Sequence, residues 1–373
     1  MNKTKVMTIL GTRPEIIRLS ECIKACDRHF DHLLCHTGQN WDYALNEVFF
    51  QELGLRAPDF YLDCAGKDLG ETMGNVIARS YALLAEQRPD ALLILGDTNS
   101  ALCAISAKRL KIPIFHMEAG NRCFDQNVPE ETNRRIVDHI ADVNLPYTEH
   151  GRRHLLNEGL PPQYVFVTGS PMREVLAKHE GSIRDSAILH QLELEAEKFI
   201  LLSAHREENV DHEGHFFSLM EAVNAVAEAY SMPIVFSTHP RSRLRIEARG
   251  FAFHALVRSL PPFGFFDYIR LQKSAFCVLS DSGTLSEESA MLGFPAVLIR
   301  TSTERPEAVD AGSIAVGGIT KESILPSIAI VRDQREHQRA QAVDYAEGNV
   351  SDKVVRIIQA YTPIVNSNIW RKG

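Results

Sequence analysis

The stretch KVMTILGTRPE, Lys5 to Glu15, decides the fold prediction. Its apolar residues form a strand that runs into Gly11, and Arg13 and Glu15 follow at once. Continuously apolar strands are typical of parallel sheets that helices cover on both faces. Pro14 suits the first turn of a helix, where its missing N–H is harmless. The stretch therefore predicts a buried strand, a short loop and a helix N-terminus, with a charged pair at the end of the strand.

Short apolar runs and longer helical patterns alternate along the rest of the first half. The strand-like runs are DHLLCHTG, DALLILGD, IPIFHMEAG, VNLPYTE and YVFVTGS. The helical patterns between them are EIIRLSECIKAC, ALNEVFFQEL, MGNVIARSYALLAEQ and SALCAISAKRL. Alternation of this kind predicts a parallel, doubly wound α/β sheet.

The pattern then restarts, because KFILLSAHREEN at Lys198–Asn209 repeats the opening order of strand, loop, arginine, acid and helix. We expect two Rossmann-like domains, over 1–170 and 198–349, with a polar linker at 171–197. The last helical pattern, within 350–373, is expected to pack back on the first domain.

Composition favours a cytoplasmic protein with two domains. The chain has 373 residues, more than one ordinary domain needs. Its 40 Lys and Arg against 48 Asp and Glu give a net charge of −8, which argues against nucleic acid or an anionic membrane surface as partner. Its seven cysteines lack C-x-x-C spacing, as expected of reduced thiols, and no span approaches 18 apolar residues, so we expect no membrane insertion.

Charged residues follow the predicted strands at the edge where open parallel sheets bind ligands. Arg13, at a helix N-terminus, suits a phosphate, although a surface ion pair with Glu15 explains it too. Asp97 in LGDTNS either caps the next helix or stands in a cleft as a carboxylate.

The richest stretch is HMEAGNRCFDQNVPEETNRR. Glu118 leaves an otherwise apolar strand, so it is either buried with a partner or faces a cleft. Glu130 lies four residues before Arg134, which is the spacing of an ordinary ion pair on a helix surface. Both a catalytic and a structural interpretation of Glu130 therefore stay open.

The second half offers a matching set of polar residues. They are His205, His239, Ser282, Gly283, Glu288 and Arg305. The small residues of SDSGTLSEES would let a phosphate approach backbone N–H groups, although a serine-capped helix explains them equally well. No metal-ligand spacing, P-loop or G-x-G-x-x-G occurs, so we expect neither a metal nor a dinucleotide cofactor.

Taken in order, GTRPE, LGDTNS, HMEAG with PEETNRR, SAHREEN, SDSG and TERPEA resemble the non-hydrolysing nucleotide-sugar 2-epimerases, typified by UDP-N-acetylglucosamine 2-epimerase. The resemblance covers roughly 4–360. It implies a glycosyltransferase-B-like fold with the active site in the interdomain cleft, a homodimer and no cofactor.

The resemblance also implies a chemistry in which UDP leaves C1 as the C2 proton is removed, and UDP then adds back with a proton on the other face. Such a route needs acid–base groups on both sides of the sugar and donors for the departing UDP. The positions that match catalytic residues are Asp97, Glu118, Glu130 and His205. Those that match UDP-binding residues are Arg13, His239, Ser282, Gly283, Glu288 and Arg305, while Glu15 matches a supporting residue.

One loop departs from the UDP-N-acetylglucosamine 2-epimerases, which usually have EAGLRT and a longer loop before P-E-E. The sequence EAGNRCFDQNVPEE instead resembles the branch that epimerises UDP-2-acetamido-2,6-dideoxy-L-talose to UDP-N-acetyl-L-fucosamine, for capsule, O-antigen or lipopolysaccharide. We expect this substrate, with UDP-N-acetylglucosamine as the alternative and Phe124 facing the 6-methyl group. A glycosyltransferase of the same fold, a hydrolysing epimerase and a non-catalytic binding protein are the rival classes.

Overall fold

The computed structural model divides the chain into two compact units. The first comprises 1–178 together with 347–373, and the second comprises 179–346. The residues that the structure describes are 3–39, 43–126, 128–334, 343–346 and 348–372, without the side chains of 43–47, 207 and 343.

The first unit contains a six-stranded parallel sheet with the order β3-β2-β1-β4-β5-β6. Its strands are β1 Lys5–Leu10, β2 Asp31–His36, β3 Phe60–Tyr61, β4 Ala91–Leu95, β5 Ile114–Met117 and β6 Val143–Leu145. Its helices are α1 Arg13–His29, α2 Tyr43–Glu52, α3 Leu69–Gln87, α4 Cys103–Arg109, α5 Pro129–Ile140, α6 Glu149–Asn157 and α7 Met172–Lys178.

The second unit repeats this arrangement, with the order β12-β11-β10-β7-β8-β9. Its strands are β7 Ile200–Ser203, β8 Ile234–Ser237, β9 Val257–Leu260, β10 Cys277–Ser280, β11 Ala296–Leu298 and β12 Ala315–Val316. Its helices are α8 Glu180–Arg184, α9 Ile188–Gln191, α10 Glu207–Val210, α11 Glu213–Tyr230, α12 Pro240–Arg249, α13 Phe265–Ser274, α14 Thr284–Leu292, α15 Pro306–Asp310 and α16 Lys321–Asp333. The last helix of the chain, α17 Val350–Asn368, belongs to the first unit.

Both sheets confirm the predicted doubly wound α/β class. Each has the Rossmann order, in which the chain reverses its direction of winding between the first and fourth strands. The apolar central strands are almost completely buried under helices on both faces. Such a sheet opens a crevice at the carboxyl ends of the two strands where the order reverses. The crevice lies between β1 and β4 in the first unit and between β7 and β10 in the second.

The stretch 171–197, predicted as a linker, is largely helical. Its first part, α7, belongs to the first unit, whereas α8 and α9 belong to the second. The C-terminal helix α17 packs against α1. The Glu174 carboxylate accepts hydrogen bonds from the backbone N–H and the hydroxyl of Ser351, at 2.9 and 2.6 Å, and so binds the start of α17 to α7.

The predicted strand YVFVTGS, at 164–170, is not a strand. It runs beside β6 and is joined to it by an isolated bridge between Asn144 and Val165. The N–H of Thr168 donates to the carbonyl of Pro146 at 3.0 Å, but a proline has no N–H to donate in return. The ladder therefore stops after a single bridge.

Among the described residues, no helix is long and apolar enough to cross a membrane.

Candidate active site

The loop after β1 is fixed by a buried carboxylate. Glu15 accepts hydrogen bonds from the Gly11 N–H at 3.2 Å and from the hydroxyls of Thr12 and Thr98, at 2.7 and 3.1 Å, and from that of Ser100. Burial raises the pKa of Glu15, and the four donors oppose that rise. The residue that the sequence suggested as a support thus joins the β1 loop to the β4 loop across the crevice.

Arg13 is the first residue of α1 and is partly exposed. Its guanidinium carbon lies 5.5 Å from the centroid of the Phe49 ring, a cation–π distance that holds the side chain against α2. The structure therefore places a cation at a helix N-terminus beside the crevice, where an anion binds most readily.

Glu118 is a buried acid with a left-handed backbone conformation. It follows β5 with a φ of +63°, a conformation that is rare for a residue with a side chain and that costs of the order of 1 kcal/mol. Its side chain is buried and forms an ion pair with Arg18, and Asn121 Nδ2 donates to Oε1 at 3.4 Å. The carboxylate also passes beside Gly96, which precedes Asp97. The Glu118 carboxylate therefore lies beside the start of the β4 loop, which carries Asp97.

Asp97 is held by α5, the helix that follows the loop after β5. Arg134 donates to Asp97 Oδ2 from Nε at 2.9 Å and from Nη2 at 2.5 Å. Asn133 donates to the Asp97 carbonyl at 3.0 Å. The alternative in which Asp97 caps a helix does not hold, because the N-cap of the following 3-10 helix is Thr98.

The two acids at the start of α5 differ in their surroundings. Glu131 is buried; it accepts from Arg134 Nη1 at 2.9 Å, from Arg135 Nε at 3.2 Å and from the Cys123 N–H at 3.2 Å. Glu131 therefore supports the loop. Glu130, the acid predicted to be catalytic, is partly exposed on the first turn of α5.

In the second unit, Asp281 organises the loop after β7. It accepts from the backbone N–H of His205 at 2.9 Å, from that of Arg206 at 3.0 Å and from Asn209 Nδ2 at 3.1 Å. The His205 Nδ1 atom lies 3.2 Å from Asp281 Oδ1. Burial opposes ionisation of Asp281, but His205 and the surrounding donors lower its pKa to about 2. A permanent anion therefore orients the His205 ring, which is 36% exposed and directs its Nε2 edge away from Asp281.

The remaining predicted groups line the same edge. His239 caps α12, with Nδ1 accepting from the Arg241 N–H at 3.3 Å, and its ring centroid lies 5.9 Å from that of His205. Gly283 begins α14 where a side chain would collide with Glu304 Oε1. Ser282 Oγ lies 3.0 Å from the hydroxyl of Thr284.

Glu288 and Arg305 lie deeper. Glu288 accepts from Gln272 Nε2 at 2.6 Å. Arg305 is 1% exposed, and its Nη2 lies 2.7 Å from Glu287 Oε1. A ligand that binds Glu288 or Arg305 would therefore share that side chain with Gln272 or Glu287, respectively.

Two residues of the edge were not singled out from the sequence. Arg18 looks like a surface arginine one turn beyond Arg13, and only the ion pair with Glu118 reveals its place. Asp281 stands between a strand end and Ser282, a position that gave a signal, but its partners lie 72 to 76 residues earlier in the chain.

Among the described residues, no group of three or more His, Cys, Asp or Glu side chains is placed to hold a metal ion.

Two doubly wound units of identical strand order, each with charged loops at the carboxyl edge of its sheet, define the glycosyltransferase-B-like class of α/β proteins. Residues 24–359 match the family model described as UDP-N-acetylglucosamine 2-epimerase. The chain belongs to the UDP-N-acetylglucosamine 2-epimerase family and is an isomerase, a UDP-sugar 2-epimerase.

Solved structures and curated relatives agree with this assignment. A UDP-N-acetylglucosamine 2-epimerase from Rickettsia bellii is 44% identical, with a TM-score of 0.91 and full coverage of both chains. The Methanocaldococcus jannaschii enzyme in complex with UDP-GlcNAc and UDP is 31% identical, with a TM-score of 0.90 over 96% of this chain and 100% of that chain. A UDP-2,3-diacetamido-2,3-dideoxy-D-glucuronate 2-epimerase from Pseudomonas aeruginosa is 32% identical over 87% of this chain and 91% of its own length.

Proposed function

We propose that the protein epimerises UDP-2-acetamido-2,6-dideoxy-L-talose at C2 to give UDP-N-acetyl-L-fucosamine. A carboxylate removes the C2 proton while the C1–O bond breaks and UDP leaves, which forms a C1=C2 glycal. The bond to UDP then re-forms, and a proton is delivered to the opposite face of C2. Atoms and electrons balance without a metal or a redox cofactor.

The observation that carries the proposal is the placement of Asp97 and Glu118. Asp97 follows β4 and Glu118 follows the adjacent strand β5, at the carboxyl edge of the first sheet. Each forms an ion pair with an arginine. Each arginine holds its carboxylate in place through a charge-assisted hydrogen bond. We assign acid–base roles on C2 to these two acids. Glu130, four residues before Arg134 on α5, is assigned a supporting role in catalysis.

We assign UDP binding to residues at the carboxyl edge of the sheet in the second unit. Arg13 is proposed as a phosphate-binding residue of the first unit. His205 is the candidate acid for the departing phosphate, because Asp281 holds one edge of its ring and leaves Nε2 for a ligand. At the start of α14, Gly283 offers its backbone N–H and Ser282 its hydroxyl, because the Ser282 N–H already donates to the Ser280 hydroxyl at 3.1 Å. Glu288 is proposed to accept from ribose hydroxyls, and His239 and Arg305 complete the set.

The short loop between Glu118 and Glu130 favours the 6-deoxy sugar. Phe124 in this loop has a φ of +57° and is 67% exposed, with its ring edge-on to His154 at a centroid distance of 5.6 Å. His154 in turn lies 2.9 Å from the Gly120 carbonyl, two residues beyond Glu118. An exposed aromatic ring in this position offers an apolar surface to a methyl group.

UDP-N-acetylglucosamine is the second candidate substrate, and several similar proteins are named for it. The Pseudomonas relative, named for a different UDP-sugar, indicates that substrates vary at this level of identity. Family membership therefore leaves the choice between the two sugars to experiment.

The proposal is tested by incubating the protein with each UDP-sugar alone and resolving the products by proton NMR. We expect the L-talose compound to be converted to its C2 epimer, with UDP still attached, and UDP-N-acetylglucosamine to be converted at least tenfold more slowly. The reverse preference would establish the second substrate. Free sugar as the product would indicate a hydrolysing epimerase, and no reaction without an acceptor would favour a glycosyltransferase.

We further propose a cytoplasmic homodimer that supplies its product to the assembly of a capsule, an O-antigen or a lipopolysaccharide. Sedimentation of the purified protein with and without UDP would test the dimer, and a single monomeric species in both conditions would contradict it.

A further inference from the structure

His116 is a completely buried histidine on β5 that the proposed mechanism does not use. Its Nε2 atom lies 2.7 Å from the carbonyl oxygen of Gly96, and its Nδ1 atom lies 3.0 Å from Asp138 Oδ1. The second contact is within ion-pair distance but does not have hydrogen-bond geometry. Each ring nitrogen thus lies within 3.0 Å of an oxygen atom.

Neither oxygen has a proton to give. A backbone carbonyl only accepts hydrogen bonds. Asp138 is surrounded by donors: the Gly120 N–H approaches Oδ2 at 3.1 Å, and Arg122 Nη1 approaches the same oxygen at 2.7 Å. These contacts are those of an ionised carboxylate. A neutral imidazole carries one N–H and would leave its other nitrogen lone pair against an oxygen lone pair.

We propose that His116 is held as an imidazolium and acts as a positioning residue between the two acid-bearing loops. The ring binds Gly96, which precedes Asp97, and through Asp138 it binds Gly120, which follows Glu118 by two residues. The doubly protonated ring therefore fixes the separation of the two loops. The role in catalysis rests on the proposed function of Asp97 and Glu118, whereas the protonation state does not.

The surrounding charges support this assignment. Burial acts against the cation, but Asp138 on α5, the Gly96 carbonyl and Asp97 on the β4 loop together raise the pKa of His116. Arg122 faces the far side of Asp138 and is itself balanced by Glu158, with Nε at 2.8 Å and Nη2 at 2.6 Å from its oxygens. A raised pKa means that the ring stays charged to a higher pH than an ordinary histidine, and that the charge is lost as the pH rises through the raised value.

The protonation state is measured directly on the substrate-free wild-type protein. We expect ¹⁵N NMR at neutral pH to show a directly bound proton on both nitrogens of the His116 ring, and a neutron crystal structure to show deuterium on both. One bare nitrogen would overturn the proposal. Neither measurement uses epimerase activity. A bare nitrogen would therefore contradict the protonation state of His116 without bearing on the proposed function.

The positioning role is tested with H116Q. We expect kcat for the preferred UDP-sugar to fall about 100-fold, the size of effect that misplacing reacting groups by about 1 Å produces, while KM changes less than threefold. The matched control is H32Q, which removes a buried histidine bound to Asp27 at the opposite end of the same sheet. Its other ring nitrogen meets the Thr8 hydroxyl, which can donate as well as accept, so a neutral ring satisfies both contacts. Equal losses of kcat in H116Q and H32Q would contradict a positioning role.

Discussion

Glu118 combines three features that are individually costly: a left-handed backbone, burial and a charge. Arg18 offsets the charge. A glycine would adopt the left-handed backbone of Glu118 at less cost than a glutamate does. Backbone strain at a charged side chain is typical of functional sites, where the surrounding structure holds a reactive group in place. The residue is therefore where we expect the largest loss of activity.

Substitution of Glu118 by glutamine is expected to lower kcat by about 10²- to 10⁴-fold, the contribution of a positioned acid–base group. Calorimetric binding of UDP is expected to stay within a factor of about two of the wild type. The matched control is E174Q, which removes the charge of a carboxylate that binds the start of α17. Unchanged turnover in E118Q would remove Glu118 from the mechanism.

Replacement of Arg13 by alanine is expected to weaken UDP binding by about 1.5–3 kcal/mol, because a charge-assisted contact to a phosphate is lost. Isothermal titration with UDP measures this directly. Arg28, an exposed arginine in the last turn of the same helix, provides the control variant R28A. If R13A binds UDP as tightly as R28A, the diphosphate is not bound at this helix N-terminus.

Acid is expected to destabilise the protein through His36, since burial lowers its pKa from 6.5 to about 4 despite the opposing effect of Asp63. Between these values the unfolded chain binds a proton that the folded chain does not, so stability falls as the pH falls. The His36 share of the loss between pH 7 and pH 5 is about 2 kcal/mol.

The measurement is urea unfolding at pH 7 and pH 5. The H36Q variant, which keeps an acceptor for the Gly38 N–H, is expected to lose about 2 kcal/mol less than the wild type between the two pH values. Equal losses in the two proteins would show that His36 titrates normally in the folded state.

At the scale of elements, local patterns predict what local forces determine. The opening strand, its loop and α1 follow from the apolar run, Gly11 and Pro14, and the structure confirms them. The strand prediction was wrong at 164–170. Pro146, the residue after the neighbouring strand β6, has no N–H to donate to this segment, and the sequence of the segment itself does not reveal that loss. Whether a segment forms a strand depends also on the neighbouring strand, whereas an apolar run gives information only about its own segment.

The site shows the same division. The sequence predicted Asp97 and Glu118 because each follows an apolar strand in a motif that resembles the epimerase family, and the pairing of β4 with β5 places their two loops side by side. Arg18 and Asp281 escaped notice because their partners are distant in sequence. Asp281 meets the His205 loop only because β10 pairs with β7. Strand order, which no local pattern encodes, therefore creates contacts at each crevice.

The start of α14 depends on the absence of a side chain at Gly283, where an added Cβ would strike Glu304 Oε1. Glu304 also accepts from Arg300 Nη1 at 2.7 Å, so it cannot move without disturbing a second buried group. We expect G283A to weaken UDP binding at least tenfold, measured by titration calorimetry. G181A is the control, since a Cβ at that helical position of the same unit meets nothing within 4 Å. Equal UDP affinity of G283A and G181A would contradict close approach of a phosphate at Gly283.

At the scale of the whole molecule, the chain builds the same six-stranded sheet twice and then returns to the first unit with α17. The two units carry different chemistry on equivalent edges. The first has paired acids and arginines beside β4 and β5, while the second has histidines, small residues and a permanent anion beside β7 and β10. Under the proposed function, the first set would serve the proton transfer at C2 and the second set the leaving group.

The most direct test of the account is proton NMR of the protein in D₂O with UDP-2-acetamido-2,6-dideoxy-L-talose, and separately with UDP-N-acetylglucosamine. Removal and return of the C2 proton predicts deuterium at C2 of an inverted product that still carries UDP, with the L-talose compound as the preferred substrate. Inversion with the original hydrogen fully retained at C2, or no change in either compound, would contradict the elimination mechanism.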